Sequence, residues 1–85
     1  MRPIVLIGHR HDCPIHGLGT VVTGASATFV DGKAVARVGD QISCGALIET
    51  GAECTIIEGQ PAARVGDTTS HGGTLVEGDL GWLIE

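Results

Sequence analysis

The sequence predicts an all-β fold in which three short β repeats close into a ring about a pseudo-threefold axis. Three observations predict it. Asp31–Asp40 recurs as Glu58–Asp67, an offset of 27 residues. Short apolar or β-branched stretches at Thr28–Val30, Thr55–Ile57 and Trp82–Ile84 end at acidic residues, two of them followed by glycine in Asp31-Gly32 and Glu58-Gly59. No segment keeps apolar residues at helical spacing for two turns without a glycine interrupting it.

The repeat justifies each element in order. Arg2–His9 overlays Gln60–Asp67, and Asp79–Glu85 overlays Ala52–Glu58, so a third copy is divided between the two ends of the chain. The copies run about 1–31, 32–58 and 59–85 within one domain, and the first carries extra residues around Gly8–His16. Units whose ends meet in this way predict a closed ring rather than an open solenoid. Closure also removes exposed sheet edges.

The chain has 85 residues, of which 14 are glycine, with one Trp, one Phe and no Tyr. A domain of this size buries only about 60% of its unfolded surface, so an added staple is expected. A net charge of −5 argues against nucleic acid, whose phosphates demand cationic contacts. No run approaches the ~20 apolar residues of a membrane span, so no stable membrane insertion is expected. The first residues break too soon, at Gly8-His9-Arg10, to read as a signal peptide, and a cytoplasmic start is expected. In that setting the odd set Cys13, Cys44 and Cys54 suggests metal ligands or small buried residues rather than a disulfide framework.

The repeat register sorts the polar residues. Cys44 and His71 are equivalent, each followed by a glycine and then by Gly51 or Gly78. In the first copy, His16-Gly17 followed by Thr23-Gly24 matches them with one extra residue. His16, Cys44 and His71 are therefore expected to converge near the axis. The extra residues offer a fourth ligand, His11 or Cys13. Cys13 also has a register of its own, because counting forward from Gly8, Gly39 and Gly66 reaches Cys13, Cys44 and His71. Four N/S ligands from separate loops fit a closed, tetrahedral, structural zinc site. Cys54, equivalent to Ala27 and Gly81, is expected to pack, and His9, equivalent to Asp40 and Asp67, to hold a turn. The two aspartates are expected to satisfy turn amides.

Pro61-Ala62-Ala63-Arg64, its variant Ala34-Val35-Ala36-Arg37, Gly8–Pro14 and Ser70–Gly73 together resemble the PAAR-repeat family over essentially the whole chain. The resemblance implies a β cone with one zinc near its vertex, held by three histidines and one cysteine, here His11, His16, His71 and Cys44. It also implies a wide base that caps the trimeric VgrG spike of a bacterial type VI secretion system. The tip would wait in the cytoplasm, leave the cell on the spike, and help pierce a target envelope. With the repeats filling the chain, no fused cargo is expected, and any effector would be bound non-covalently. The same tip could instead cap a contractile phage tail, or serve as a generic zinc scaffold.

A pseudo-threefold base suits a threefold trimer. Two apolar rings are available, Phe29/Ile56/Leu83 and Val30/Ile57/Ile84, and strand alternation sends them to opposite faces. Val30, Ile57 and Ile84 are assigned to the docking base. No enzyme is expected: a four-ligand zinc leaves no open position, and the sequence holds no nucleophile–base pair.

Overall fold

A computed structural model describes residues 2–14 and 17–84. It is all-β, with no helix among those residues. The strands are β1 (Arg2–Ile4), β2 (Arg10–Cys13), β3 (Gly17–Thr20), β4 (Phe29–Val30), β5 (Lys33–Ala34), β6 (Ile56–Ile57), β7 (Gln60–Pro61), β8 (Thr74–Leu75) and β9 (Asp79–Ile84). Most are two to four residues long, because glycine turns cut each copy repeatedly.

Asp31-Gly32 closes the β4–β5 hairpin and Glu58-Gly59 closes β6–β7, with φ positive at both residues of each turn (51° and 78°, 49° and 87°). That pair of dihedral signs is the type I′ turn whose twist matches two-residue hairpins. The third pair is β1 with β9, in which Arg2 faces Ile84 and Pro3 faces Leu83. This register repeats Lys33 against Val30 and Ala34 against Phe29. The two ends of the chain thus complete the third unit.

The ring is written in backbone hydrogen bonds. Val5 N–H donates to Ala63 C=O (3.0 Å), Ala63 to Ala36 (2.9 Å) and Ala36 to Val5 (2.8 Å). A second cycle runs from Ile7 to Ala34, Val38 to Pro61 and Val65 to Pro3 (2.9, 2.9 and 3.0 Å). A third runs from Val22 to Gln41, Glu49 to Thr68 and Val76 to Arg10 (2.9, 2.8 and 3.1 Å). Each copy donates to a neighbour at the same repeat position, so buried amides are paired although regular strands are short.

Close approach explains one set of repeated glycines. A Cβ at Gly24, Gly51 or Gly78 would lie 2.8, 2.8 or 2.9 Å from the carbonyl oxygen of Val35, Ala62 or Ile4. Side chains at these positions would push neighbouring copies apart.

The core has two clusters. Val5, Val21, Ala36, Ile42, Ala46, Ile48, Ala63 and Leu75 form one, with Cys44 packed against it. Ile4, Leu6, Val35, Ala52, Ala62 and Ile84 form the other, with Val30, Ile57 and Trp82 against it. This reverses the expected roles of the two apolar rings. Val30 and Ile57 are half-buried and Ile84 is only 3% exposed, whereas Phe29, Ile56 and Leu83 are 58%, 55% and 42% exposed. Two adjacent apolar residues must face opposite ways. The hairpin turns the second of each pair inward.

The turn residues behave as the repeat suggests. Asp40 accepts from Arg37 N–H and Asp67 from Arg64 N–H, both at 2.7 Å, and His9 Nδ1 accepts from Leu6 N–H at 3.0 Å. Each aspartate also accepts a hydroxyl from a neighbouring copy, Thr23 to Asp40 (3.1 Å) and Thr50 to Asp67 (2.9 Å). Those threonine oxygens in turn accept from Gln41 N–H (2.8 Å) and Thr68 N–H (3.0 Å). In the third copy Glu77 stands at the threonine position and accepts from Arg10 N–H at 3.0 Å.

Glu58 latches the second copy to the first. Its carboxylate accepts from Ser26 N–H (3.0 Å), Ser26 O–H (2.8 Å), Ala27 N–H (2.9 Å) and Thr28 O–H (2.8 Å). The Ser26 and Thr28 hydroxyl bonds, followed by the backbone donors, lower its pKa to about 2. The folded-state value lies below the unfolded one, so the ionised group adds stability above about pH 4.5. That contribution fades as pH falls toward about 2. Carboxyl NMR titration should place the Glu58 midpoint near 2, and Glu58→Gln should flatten the stability profile between these limits. A midpoint above 4 would contradict the latch.

Candidate metal centre

β2 points His11 and Cys13 inward and Arg10 and Asp12 outward, as alternation requires. The inward pair does not form one site. Cys13 lies beside Cys44 and His71, with the three donor atoms all within 4.8 Å of one another. His71 Nδ1 is 3.8 Å from Cys13 Sγ and 3.6 Å from Cys44 Sγ. Tetrahedral zinc with Zn–S of about 2.3 Å and Zn–N of about 2.05 Å separates sulfur from nitrogen by roughly 3.6 Å. The spacing therefore fits such an ion. Two sulfurs and an imidazole are also the donors zinc prefers.

The three positions of this group are repeat equivalents, each five residues beyond Gly8, Gly39 or Gly66. Cys44 lies in the Ser43–Cys44 turn and precedes Gly45 at φ +92°, while His71 precedes Gly72 at φ +78°. These left-handed glycines let the chain reverse straight after presenting its ligand. Cys13 is buried, and Cys44 and His71 are half-buried.

The structure thus brings together Cys44 and His71 from the expected set, with Cys13, the alternative to His11, beside them. His16 lies outside the described residues. His11 is not in the group, and the register shows why. It is equivalent to Ile42 and Thr69, a layer deeper in the ring, where it pairs in register with Leu75 as Ile42 pairs with Val21 and Thr69 with Ile48. Its Nε2 is hydrogen-bonded to Thr69 Oγ1 at 2.8 Å, and its Nδ1 has no partner among the described residues. Gly73 leaves room for the ring, since a Cβ there would collide with it. Burial lowers the His11 pKa, opposed by the charge of Asp12 and reinforced by His71. The neutral imidazole is the form that can bind a metal.

Cys54 is exposed, so the expectation that it packs is corrected. The signal for Cys13 was present in the forward count from the glycines. The insertion in the first copy allowed a rival register ending at His16.

A family model described as PAAR motif matches residues 1–50 and again residues 47–77. No curated protein matches the chain. Among the described residues, no helix is long and apolar enough to cross a membrane. Together the two matches span residues 1–77, covering both the closed β ring and the Cys/His group, and the chain belongs to the PAAR motif family.

Proposed function

We propose that this chain is a non-enzymatic, zinc-braced tip that docks through its hairpins on the trimeric VgrG-type spike of a bacterial type VI secretion system. The observation that carries this reading is the cyclic hydrogen bonding of Val5, Ala36 and Ala63, which gives one polypeptide the symmetry of a trimer. Phe29, Ile56 and Leu83 are equivalent in the repeat and exposed, one per copy, so each can meet one chain of a threefold partner. Aromatic and aliphatic anchors of this kind dominate interface energies.

In this reading Cys13, Cys44 and His71 hold one zinc. The fourth donor is His16, as the resemblance implies, since His11 lies a layer deeper with its Nε2 on Thr69 Oγ1. The ion would supply a cross-link between copies and no reactive position. The tip would await firing in the cytoplasm and leave on the spike.

Ile56→Asp places a charge in the exposed ring without touching the core. It is expected to weaken binding to the spike trimer by at least about 30-fold, the scale of a lost hot spot. Leu18→Asp, on the β2–β3 hairpin, is expected to bind as wild type. Wild-type affinity of a folded Ile56→Asp chain, measured by interferometry against the immobilised trimer, would overturn the docking face.

A further inference from the structure

The family resemblance implies three histidines and one cysteine, yet the group that the fold assembles contains two sulfurs, Cys13 Sγ and Cys44 Sγ, within 4.8 Å of each other. A single thiolate cannot form an internal disulfide; two can. We propose that this metal centre is also a redox switch, in which oxidation joins Cys13 to Cys44 and expels the metal. The proposal rests on the metal-holding reading above.

The geometry favours the step. A disulfide requires sulfurs about 2.05 Å apart, so the pair must close by no more than about 2.8 Å. Cys44 sits in a short exposed turn ahead of Gly45, where a small rotation moves its sulfur. It is also the more accessible of the two, because Cys13 is buried. A small-molecule disulfide, RSSR, therefore meets Cys44 first. The Cys44 thiolate attacks one sulfur of RSSR, forming a mixed disulfide and releasing RS⁻. The Cys13 thiolate then attacks the Cys44 sulfur, forming Cys13–Cys44 and releasing the second RS⁻. Two electrons pass from the cysteine pair to RSSR, and the divalent ion leaves with its charge because both anionic ligands have been consumed. Binding requires thiolates, so the oxidised pair cannot hold the ion.

The consequence is an exchange of one cross-link for another. The metal ties three copies together, whereas the disulfide ties only the first to the second. The third copy, with His71, is released. Metal retention would then depend on the reducing state of the surroundings.

The test uses the full zinc-loaded chain treated with excess oxidised glutathione. Released zinc is read with a colorimetric chelator, and the cross-link by peptide mapping after alkylation. Zinc release should follow formation of the Cys13–Cys44 peptide up to about one ion per chain. Dithiothreitol and added zinc should reverse it, and Cys54→Ser, which removes the exposed third thiol, should behave as wild type. Zinc retained through the treatment, or released without that cross-link, overturns the switch and leaves the metal reading intact. A reduced chain that takes up no zinc at the outset overturns both.

Discussion

Asp67→Ala is expected to cost about 3–5 kcal/mol, the scale for breaking a buried ion pair from one side. The Asp67 side chain is 2% exposed and that of Arg64 11%, with Arg64 Nη2 3.0 Å from Oδ1 and Nε 3.1 Å from Oδ2. The same carboxylate accepts Arg64 N–H and the Thr50 hydroxyl, so its loss strands a buried turn amide and frees an inter-copy bond as well. Small domains have only about 5–15 kcal/mol in total. The variant should therefore lie close to the unfolding threshold at room temperature. Asp40→Ala is the internal comparison: Asp40 makes the equivalent turn-amide and threonine bonds, but its side chain is 9% exposed and its ion pair is one contact of 3.4 Å between Arg37 Nε and Oδ2. Its cost should be smaller, about 1–2 kcal/mol. Urea midpoints of the two variants measure the difference directly. An Asp67→Ala midpoint equal to that of Asp40→Ala would show that the closer Arg64–Asp67 ion pair adds nothing beyond the turn-amide and threonine bonds that both aspartates make.

Metal removal is the second large effect. At free zinc about 100 times the dissociation constant, binding adds about 2.7 kcal/mol to stability. For a domain of this length each kcal/mol shifts the thermal midpoint by about 4–8 °C. Chelation should thus lower the midpoint by roughly 10–20 °C, and His71→Ala should match the chelated wild type and no longer respond to chelator. The three cycles of backbone hydrogen bonds do not involve the candidate ligands, and neither core cluster contains one although Cys44 packs against the first, so the chelated chain should remain folded, with its far-ultraviolet spectrum retained. A midpoint indifferent to chelator would place the Cys/His group outside the stabilising framework.

Much of this fold could be read from the residues because three copies report on one another. Asp31-Gly32 and Glu58-Gly59 specify their hairpins by conformation alone. Gly24, Gly51 and Gly78 recur because a carbonyl of the next copy occupies the space of a side chain. His9 could be placed in a turn from its equivalence to two aspartates, and it makes their amide contact through a ring nitrogen.

Other features were hidden for physical reasons. The hairpin strands that carry the rings, β4 and β6, are two residues long and both residues are apolar, so alternation separated the rings without saying which faced the core. The Thr23–Asp40 and Thr50–Asp67 bonds join positions in different copies, and local sequence carries no sign of them. The choice between His11 and Cys13 turned on where the insertion lies. Both point inward from β2, but only Cys13 reaches the layer of Cys44 and His71, while His11 replaces an isoleucine and a threonine one layer deeper.

In the proposed function one ion ties together the three copies at Cys13, Cys44 and His71. Elemental analysis of untagged, reduced protein tests it most directly, with Cys13→Ala and His71→Ala in parallel. The wild-type chain should carry about one zinc, and both variants should lose the metal. Folded wild-type protein without zinc, or a Cys13→Ala chain that keeps its full complement, would contradict it.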